Sequence, residues 1–159
     1  MRYKWIKRFI GLADYVAQWS DDRSTKCGCV FVDPLNHNVI SMGFNGFPRG
    51  IADEVERHER PAKYTWTEHA ERNGIYNAAE RGASLGGSHA FITHLPCTDC
   101  ARGLIQAGVD FVYYNEANVM GSPNWEEDFR TSQDMLMEAG IEIIGVDLTT
   151  EAGYLKVDE

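Results

Sequence analysis

Apolar and polar residues follow two different periods along this chain, and the changes of period mark the predicted elements. In residues 2–18 apolar side chains recur every three or four positions, as on the buried face of an amphipathic helix. The same spacing predicts helices over 68–81, 97–107 and 125–139, and each of these is followed by a glycine, which commonly ends a helix. Four helices are therefore expected.

Short apolar runs predict five strands, over 27–33, 38–43, 89–94, 109–114 and 141–146. A turn at 34–37 joins the first two strands into a hairpin, and the Gly- and Pro-rich residues 43–50 are expected to form a loop. Residues 53–63 are highly charged, so we expect them to be solvated. Strands and helices alternate after the hairpin, which predicts a three-layer α/β/α domain with a five-stranded mixed sheet and helices on both faces.

The charge of the chain limits its partners. Its 159 residues include 24 acidic and 15 basic side chains, which give a formal net charge of −9. Because polynucleotides are bound chiefly by cations that neutralise backbone phosphates, we expect no polynucleotide partner, although a single phosphate needs only a few cations. No apolar run reaches the ~20 residues that span a bilayer, and the first residues lack the features of a signal peptide. We therefore expect a cytoplasmic protein without a membrane partner.

Two short segments carry the candidate chemistry, each at the start of a predicted helix. Cys97 and Cys100 are three residues apart, so both side chains lie on one face of the first helical turn, where the helix N-terminus favours thiolates. With His69 they make three protein ligands, and tetrahedral zinc then keeps a fourth position for water, as in catalytic sites. Glu71 follows His69 by two residues and can accept the proton of that water.

Other interpretations of the cysteines also exist. A Cys-x-x-Cys pair occurs in zinc ribbons and in redox motifs, but a ribbon needs a fourth ligand at similar spacing. Cys27 and Cys29 have the wrong spacing for that, and strand alternation places them on one face, where free cysteines usually pack in the core. We interpret His94 as a wall or orienting residue, since three ligands are already present.

The segments match the H-x-E…P-C-x-x-C signature by which zinc-dependent nucleobase deaminases are recognised. Residues from about 20 to 115 also resemble the deoxycytidylate (dCMP) deaminases of the cytidine-deaminase-like superfamily, through 22–26 (DRSTK), 43–50 (GFNGFPRG) and 67–73 (TEHAERN). The resemblance implies a single CMP/dCMP-type deaminase domain over 1–159 with one catalytic Zn²⁺ per subunit. It also implies hydrolysis of dCMP to dUMP and ammonia, which supplies a precursor of dTTP.

The resemblance further implies roles for individual residues. Asn45 would bind the deoxyribose, and the backbone N–H of Ala70 would face the pyrimidine carbonyl. Three cations are candidates for the 5′-phosphate, namely Arg23, Lys26 and Arg49. The loop glycines Gly43 and Gly46, with Phe44 between them, would bring backbone close to the substrate.

Two positions depart from the family pattern. Phe44 stands where the family commonly has Tyr, and Gly74 stands where it usually has Ala. Some members respond to dCTP and dTTP through this loop, so these nucleotides are candidate effectors, and relatives usually form homo-oligomers. Alternative functions are deamination of another small cytosine nucleoside or nucleotide, including a modified dCMP, a tRNA-adenosine deaminase, and a non-catalytic zinc module with a closed fourth coordination position.

Overall fold

The computed structural model describes residues 1–118 and 123–149, and it contains all the predicted strands and helices. The helices are α1 (Tyr3–Ala17), α2 (Lys63–Trp66), α3 (Ala70–Glu80), α4 (Thr98–Ala107) and α5 (Pro123–Glu138). The strands are β1 (Gly28–Val32), β2 (Val39–Phe44), β3 (His89–Ile92), β4 (Phe111–Asn115) and β5 (Glu142–Val146). The boundaries of the predicted elements agree with these to within two residues, which is the ordinary uncertainty of an element's end. The four-residue helix α2 was not predicted.

The five strands form one mixed sheet in the order β2-β1-β3-β4-β5. β1 is antiparallel to both β2 and β3, whereas β3, β4 and β5 run parallel to one another. Parallel strands need a crossover connection, and here α4 and α5 provide the two crossovers. The predicted fold class, a three-layer α/β/α domain with a mixed sheet, is confirmed.

Alternation along β1 separates the two halves of the core. Val30 and Val32 face a cluster that includes Ile10 and Val16 of α1. Cys29 and Phe31, which are two residues apart, face the opposite cluster, which includes residues of α3, α4 and α5. Every residue of β1 is buried, because helices cover both faces of the sheet at this strand.

The charged stretch over 53–63 is only partly as expected. Most of its side chains are exposed, and Val55–His58 form a short 3-10 helix. Lys63, however, is buried with 8% of its surface exposed, which contradicts the expectation of a solvated segment. Burial is tolerated because the Asp22 carboxylate accepts two hydrogen bonds from the Lys63 ammonium, at 2.7 and 2.9 Å.

The sheet brings the start of β1 next to the end of β3. Because the two strands are antiparallel, Cys29 lies opposite Ile92, and the N–H of Thr93 donates to the carbonyl of Gly28. α4 begins a few residues after β3, so its N-terminus lies at the same edge of the sheet.

Among the described residues, no helix has the length and apolar character needed to cross a bilayer.

Candidate active site

Three metal-ligating side chains converge where α3 and α4 begin. His69 and Cys97 are the residues that immediately precede the two helices, and Cys100 lies in the first turn of α4. The His69 Nδ1 atom lies 3.4 Å from the Cys97 sulfur and 3.5 Å from the Cys100 sulfur. Nitrogen and sulfur ligands of a tetrahedral zinc ion are roughly 3.6 Å apart, given ordinary Zn–N and Zn–S bond lengths. The donor set therefore fits zinc in both chemistry and spacing.

Backbone contacts fix the position of His69. Glu68 and Gly46 exchange two backbone hydrogen bonds, of 2.8 and 3.1 Å, which attach the segment before α3 to the Gly-rich loop. The Glu68 carboxylate also accepts from the His69 N–H at 2.9 Å and pairs with Arg72 on the next turn. With its backbone held in this way, His69 directs its ring towards the two sulfurs.

The two thiols are unequal in acidity. The sulfur of Cys97 accepts a hydrogen bond from the Cys100 thiol and lies next to His69. These two neighbours lower the pKa of Cys97 to about 4, because their effect is larger than the rise caused by burial. The same hydrogen bond raises the pKa of Cys100, and burial adds to this rise. A cation between the sulfurs would favour loss of the second proton, because metal binding and thiol deprotonation are linked.

Glu71 lies in the first turn of α3 and is buried, with 8% of its surface exposed. It lines the same cavity as His69 and Cys97. Burial raises the pKa of Glu71, and the charge of His69 opposes this rise. Among the described residues, the metal-ligating group contains only His69, Cys97 and Cys100. Glu71 is therefore placed beside the ligands without being one of them.

The cavity has a volume of about 110 Å³ and is lined by His69 and Cys97 together with a set of polar residues. Asn45 lines it and is 6% exposed. The Asn45 side chain accepts from the N–H of Cys27 at 2.7 Å and donates to the carbonyl of Thr25 at 2.9 Å. Asn45 thus joins the Gly-rich loop to the start of β1, and its contact with a sugar stays a prediction.

The rest of the Gly-rich loop does not line this cavity, and the structure gives each residue a packing environment. Gly43 belongs to β2, where a Cβ atom would lie only 2.3 Å from the carbonyl oxygen of Ala70. Phe44, also in β2, packs edge-on against Trp19, with ring centroids 6.0 Å apart. Gly46 holds Glu68 as described above. Substrate contacts of Gly43, Phe44 and Gly46 stay predictions.

Ala70 is the first residue of α3 and is almost fully buried. Its N–H is one of the groups at a helix start that no intrahelical carbonyl can satisfy, so it is free of the helix's own ladder. The predicted contact of this N–H with a pyrimidine carbonyl stays a prediction.

The three cations expected to bind phosphate are not among the residues that line the cavity. Arg23 is exposed, and Lys26 donates to the carbonyl of Ser20. Arg49 donates to Asn77 at 2.9 Å and pairs with Glu80 at 3.4 Å. These positions do not bring the three cations together, and phosphate binding by them stays a prediction.

Two other cations line the cavity, and sequence reasoning missed both. Lys63 is buried against Asp22, whereas Arg60 is exposed and its Nε–H donates to the Tyr64 hydroxyl at 2.7 Å. The available signal was their position in the sequence, directly before the segment that carries His69. The high charge of this segment indicated only that it would be exposed to solvent.

The remaining candidate residues divide between the core and the cavity wall. Cys29 is fully buried in the core, as expected. Cys27 packs against the same core cluster, but it also lines the cavity, and its sulfur lies 3.5 Å from the Nδ1 atom of His94. His94 lines the cavity outside the ligand group, which agrees with its interpretation as a wall residue.

Comparison with known proteins identifies the family of this site. The family model described as the cytidine and deoxycytidylate deaminase zinc-binding region matches residues 3–116. The chain belongs to this family. Its cofactor is zinc, and the three converging donors are positioned to hold it. The predicted resemblance and cofactor are thus confirmed.

Individual members of the family align over most of the chain. A protein of Aliivibrio fischeri, named an uncharacterized deaminase in the luxG 3′ region, is 41% identical over 141 residues, which are 88% of this chain and 92% of that protein. The deoxycytidylate deaminase of Enterobacteria phage T4 is 34% identical over 175 aligned positions, which cover 85% of this chain and 86% of that protein.

A crystal structure of the dCMP deaminase from cyanophage S-TIM5, in complex with dCMP and dUMP, has a TM-score of 0.74 with this chain. The two sequences are 29% identical, and the match covers 92% of this chain and 99% of that one. The solved structure therefore supports the same family and the same fold as the family model does.

Proposed function

We propose that this chain catalyses the zinc-dependent hydrolytic deamination of dCMP to dUMP, with release of ammonia. The observation that carries the proposal is the convergence of His69, Cys97 and Cys100 at a cavity that His69 and Cys97 line together with the buried Glu71. Relatives from phage T4 and other sources are named deoxycytidylate deaminases, and the structurally similar cyanophage enzyme binds dCMP and dUMP. Both facts support a cytosine nucleotide as substrate.

The residues of the chain would divide the chemistry as follows. Zinc, held by His69 and the two cysteines, supplies the Lewis acid that makes water nucleophilic near neutral pH. Glu71 takes a proton from the attacking water and delivers it to the ring nitrogen next to the reacting carbon. The water oxygen bonds to the carbon, and Glu71 then takes a second proton from the new hydroxyl group and passes it to the amino group. The bond from the carbon to that group breaks, ammonia leaves, and a ring carbonyl remains. The raised pKa of Glu71 suits a group that holds a proton between these steps.

For the 5′-phosphate, the cavity lining favours Arg60 over the other cations. The charge of Lys63 is already balanced by Asp22, whose carboxylate lies 2.7 Å from the ammonium. Within the part of the chain that the structure describes, Arg60 forms no salt bridge, and it lies at the exposed side of the cavity lining. A guanidinium without a carboxylate partner is suited to a phosphate, which it binds through two parallel hydrogen bonds.

A substrate panel tests the function. Ammonia release should be compared for dCMP, a modified dCMP, deoxycytidine, cytidine, CMP and dCTP with one preparation, and we expect dCMP to have the highest kcat/KM. Arg60→Ala should raise the KM for dCMP roughly tenfold, because a hydrogen bond to a charged group is lost, and should leave the weaker deoxycytidine reaction unchanged. Arg81→Ala, which removes an exposed arginine outside the cavity lining, is the matched control.

Two outcomes of the panel would contradict the proposal. Equal efficiency on deoxycytidine and dCMP would show that no phosphate is recognised and would favour a nucleoside deaminase. A modified dCMP that reacts much faster than dCMP would replace it as the substrate. Activity on tRNA adenosine is disfavoured by the net charge of −9, and a non-catalytic zinc module would release no ammonia from any of these compounds.

The lining of a second cavity bears on regulation by dCTP or dTTP. This cavity, of about 180 Å³, lies beside the Gly-rich loop and contains Phe44 together with Asp21, Asp53 and His58. Carboxylates repel a triphosphate, so we propose that these effectors bind weakly there. In the same assay, a shift of the KM for dCMP by micromolar dCTP or dTTP would contradict this.

A homo-oligomer also stays a prediction from the family resemblance. β2 forms one edge of the sheet and exposes the apolar side chains of Val39 and Met42. Edge strands of this kind are commonly covered, and a second copy of the chain would cover both side chains. Light scattering of the purified protein measures its mass, and a monomer at all concentrations would contradict the prediction.

A further inference from the structure

Helix α4, which begins directly after Cys97 and contains Cys100, is capped from a distant part of the chain. Asp128 of α5 accepts two hydrogen bonds from Thr98, the first residue of α4. One comes from the backbone N–H at 3.0 Å and one from the side-chain hydroxyl at 2.7 Å. Thr98 lies directly after Cys97 and two residues before Cys100. Asp128 therefore contacts the turn of helix from which both sulfurs project.

The helix needs this external cap because its own N-cap residue cannot supply one. The side-chain oxygen of an N-cap residue usually accepts a hydrogen bond from a backbone N–H of the first turn. Loss of this hydrogen bond destabilises the helix. In α4 the N-cap residue is Cys97, which makes no side-chain cap hydrogen bond. Its sulfur instead faces His69, at 3.4 Å from Nδ1. Because the Cys97 side chain faces the metal site, the backbone N–H groups at the start of α4 need an acceptor from elsewhere in the chain.

The same helix forms part of the cavity wall. Trp125 and Phe129 lie on either side of Asp128 along α5, and both line the cavity together with His69 and Cys97. Their rings are stacked at 5.9 Å, and Phe129 is 9% exposed. α5 also lies entirely beyond residues 3–116, the part of the chain that matches the family model. The contact therefore joins the zinc-binding region to a part of the chain beyond the residues that match the family model.

We propose that Asp128 is a positioning residue for the metal site. By holding the first turn of α4, it keeps the Cys97 and Cys100 sulfurs at the spacing that His69 and the metal require. The inference extends the proposed function, because it concerns the same zinc site, but it depends on metal retention and not on the identity of the substrate.

The test measures the rate at which folded, zinc-loaded protein transfers its metal to a chromophoric chelator. Asp128→Ala should release zinc roughly tenfold faster than the wild type, since outer-shell partners and helix caps have effects of this size. Asp128→Asn should stay within about twofold, because the amide oxygen can accept from the Thr98 N–H and the amide nitrogen can donate to the hydroxyl. This rescue separates hydrogen bonding from charge.

Two controls separate positioning from a general loss of stability. Glu127→Ala removes an exposed carboxylate from the adjacent position of α5 and should release zinc at the wild-type rate. Ile10→Val removes a methylene group from the core on the other side of the sheet, which lowers stability without touching α4. It should also release zinc at the wild-type rate.

The outcomes decide the inference. Equal release from Asp128→Ala and Glu127→Ala would overturn it, as would equally fast release from Ile10→Val. If Asp128→Ala does not fold, Thr98→Val decides, since it removes only the hydroxyl hydrogen bond, and wild-type release from that variant would overturn the inference. Because zinc transfer is measured without substrate, an enzyme that fails on dCMP can still support it.

Discussion

Asp22 and Lys63 form a buried ion pair in the wall of the active-site cavity, and its strength should depend on pH. Burial raises the pKa of Asp22, but the hydrogen bonds from Lys63 and from the N–H groups of Thr25 and Ser24 outweigh it and lower the pKa from 3.8 to about 2. A carboxyl group with a lowered folded-state pKa stabilises the protein above its unfolded-state pKa, and this contribution disappears as the pH falls towards 2.

Asp22→Asn tests this linkage. At pH 7 the variant should lose about 3–5 kcal/mol of unfolding free energy, because one partner of a buried pair is left alone. The difference from the wild type, measured by urea unfolding, should be full above pH 4 and shrink as the pH falls towards 2. Asp21→Asn, at an exposed neighbour, should show little difference at any pH. A difference for Asp22→Asn that does not change between pH 5 and pH 2 would contradict the account.

At the scale of single residues, the sequence predicts the metal site better than the rest of the cavity. His69, Cys97 and Cys100 lie in short motifs whose spacing carries the geometry, so a local pattern is enough. Arg60 and Lys63 become lining residues only because the chain after the Gly-rich loop folds back over the end of the sheet. Long-range contacts of this kind leave no periodicity in the sequence.

At the scale of elements, the contact between β2 and α3 sets the position of His69 and Glu71. A Cβ atom on Gly43 would lie 2.3 Å from the Ala70 oxygen and 2.4 Å from the Gly74 nitrogen. At Gly74 a Cβ atom would instead lie 2.5 Å from the side-chain ring of Phe31. Gly43 thus allows the close approach of the two backbones, and Gly74 leaves room for the ring of Phe31.

Gly43→Ala should therefore destabilise the protein by about 1–3 kcal/mol or more, because backbone atoms cannot move aside as a flexible side chain can. The variant should also lose deaminase activity, since α3 would have to shift. Gly11→Ala, in the exposed middle of α1 with open space around the new methyl group, should instead raise stability by about 0.5–1 kcal/mol. Thermal unfolding of the two variants checks both signs. A fall of similar size in both would contradict the packing explanation.

The boundaries of the elements follow from local signals, whereas the role of Gly43 does not. Periodicity and the glycines that end helices predict every strand and the four long helices to within two residues. The strand was predicted to end at Gly43, where the Gly-rich stretch begins, yet β2 continues through Gly43 to Phe44. Pairing with β1 outweighs the weak strand propensity of glycine here, and such pairing is not visible in the local sequence.

At the scale of the whole molecule, the function depends on bringing four segments to one edge of the sheet. The sequence predicts the number of strands and the layers, because buried strands and amphipathic helices have different periods. It does not predict the order β2-β1-β3-β4-β5, which depends on how the strands pair. That order places the starts of β1, α3 and α4 beside the end of β3, and Asp128 of α5 reaches the same edge.

The central claim is that Glu71 moves protons beside a zinc ion that it does not hold, and Glu71→Gln tests it most directly. Zinc content and dUMP formation from dCMP should be measured on the same purified variant, with Glu80→Gln, an exposed position of the same helix, as the control. We expect full zinc occupancy with turnover reduced by roughly 10²–10⁴-fold or more, as for loss of a general acid–base group. Near-normal turnover in Glu71→Gln, or loss of its zinc, would contradict the account.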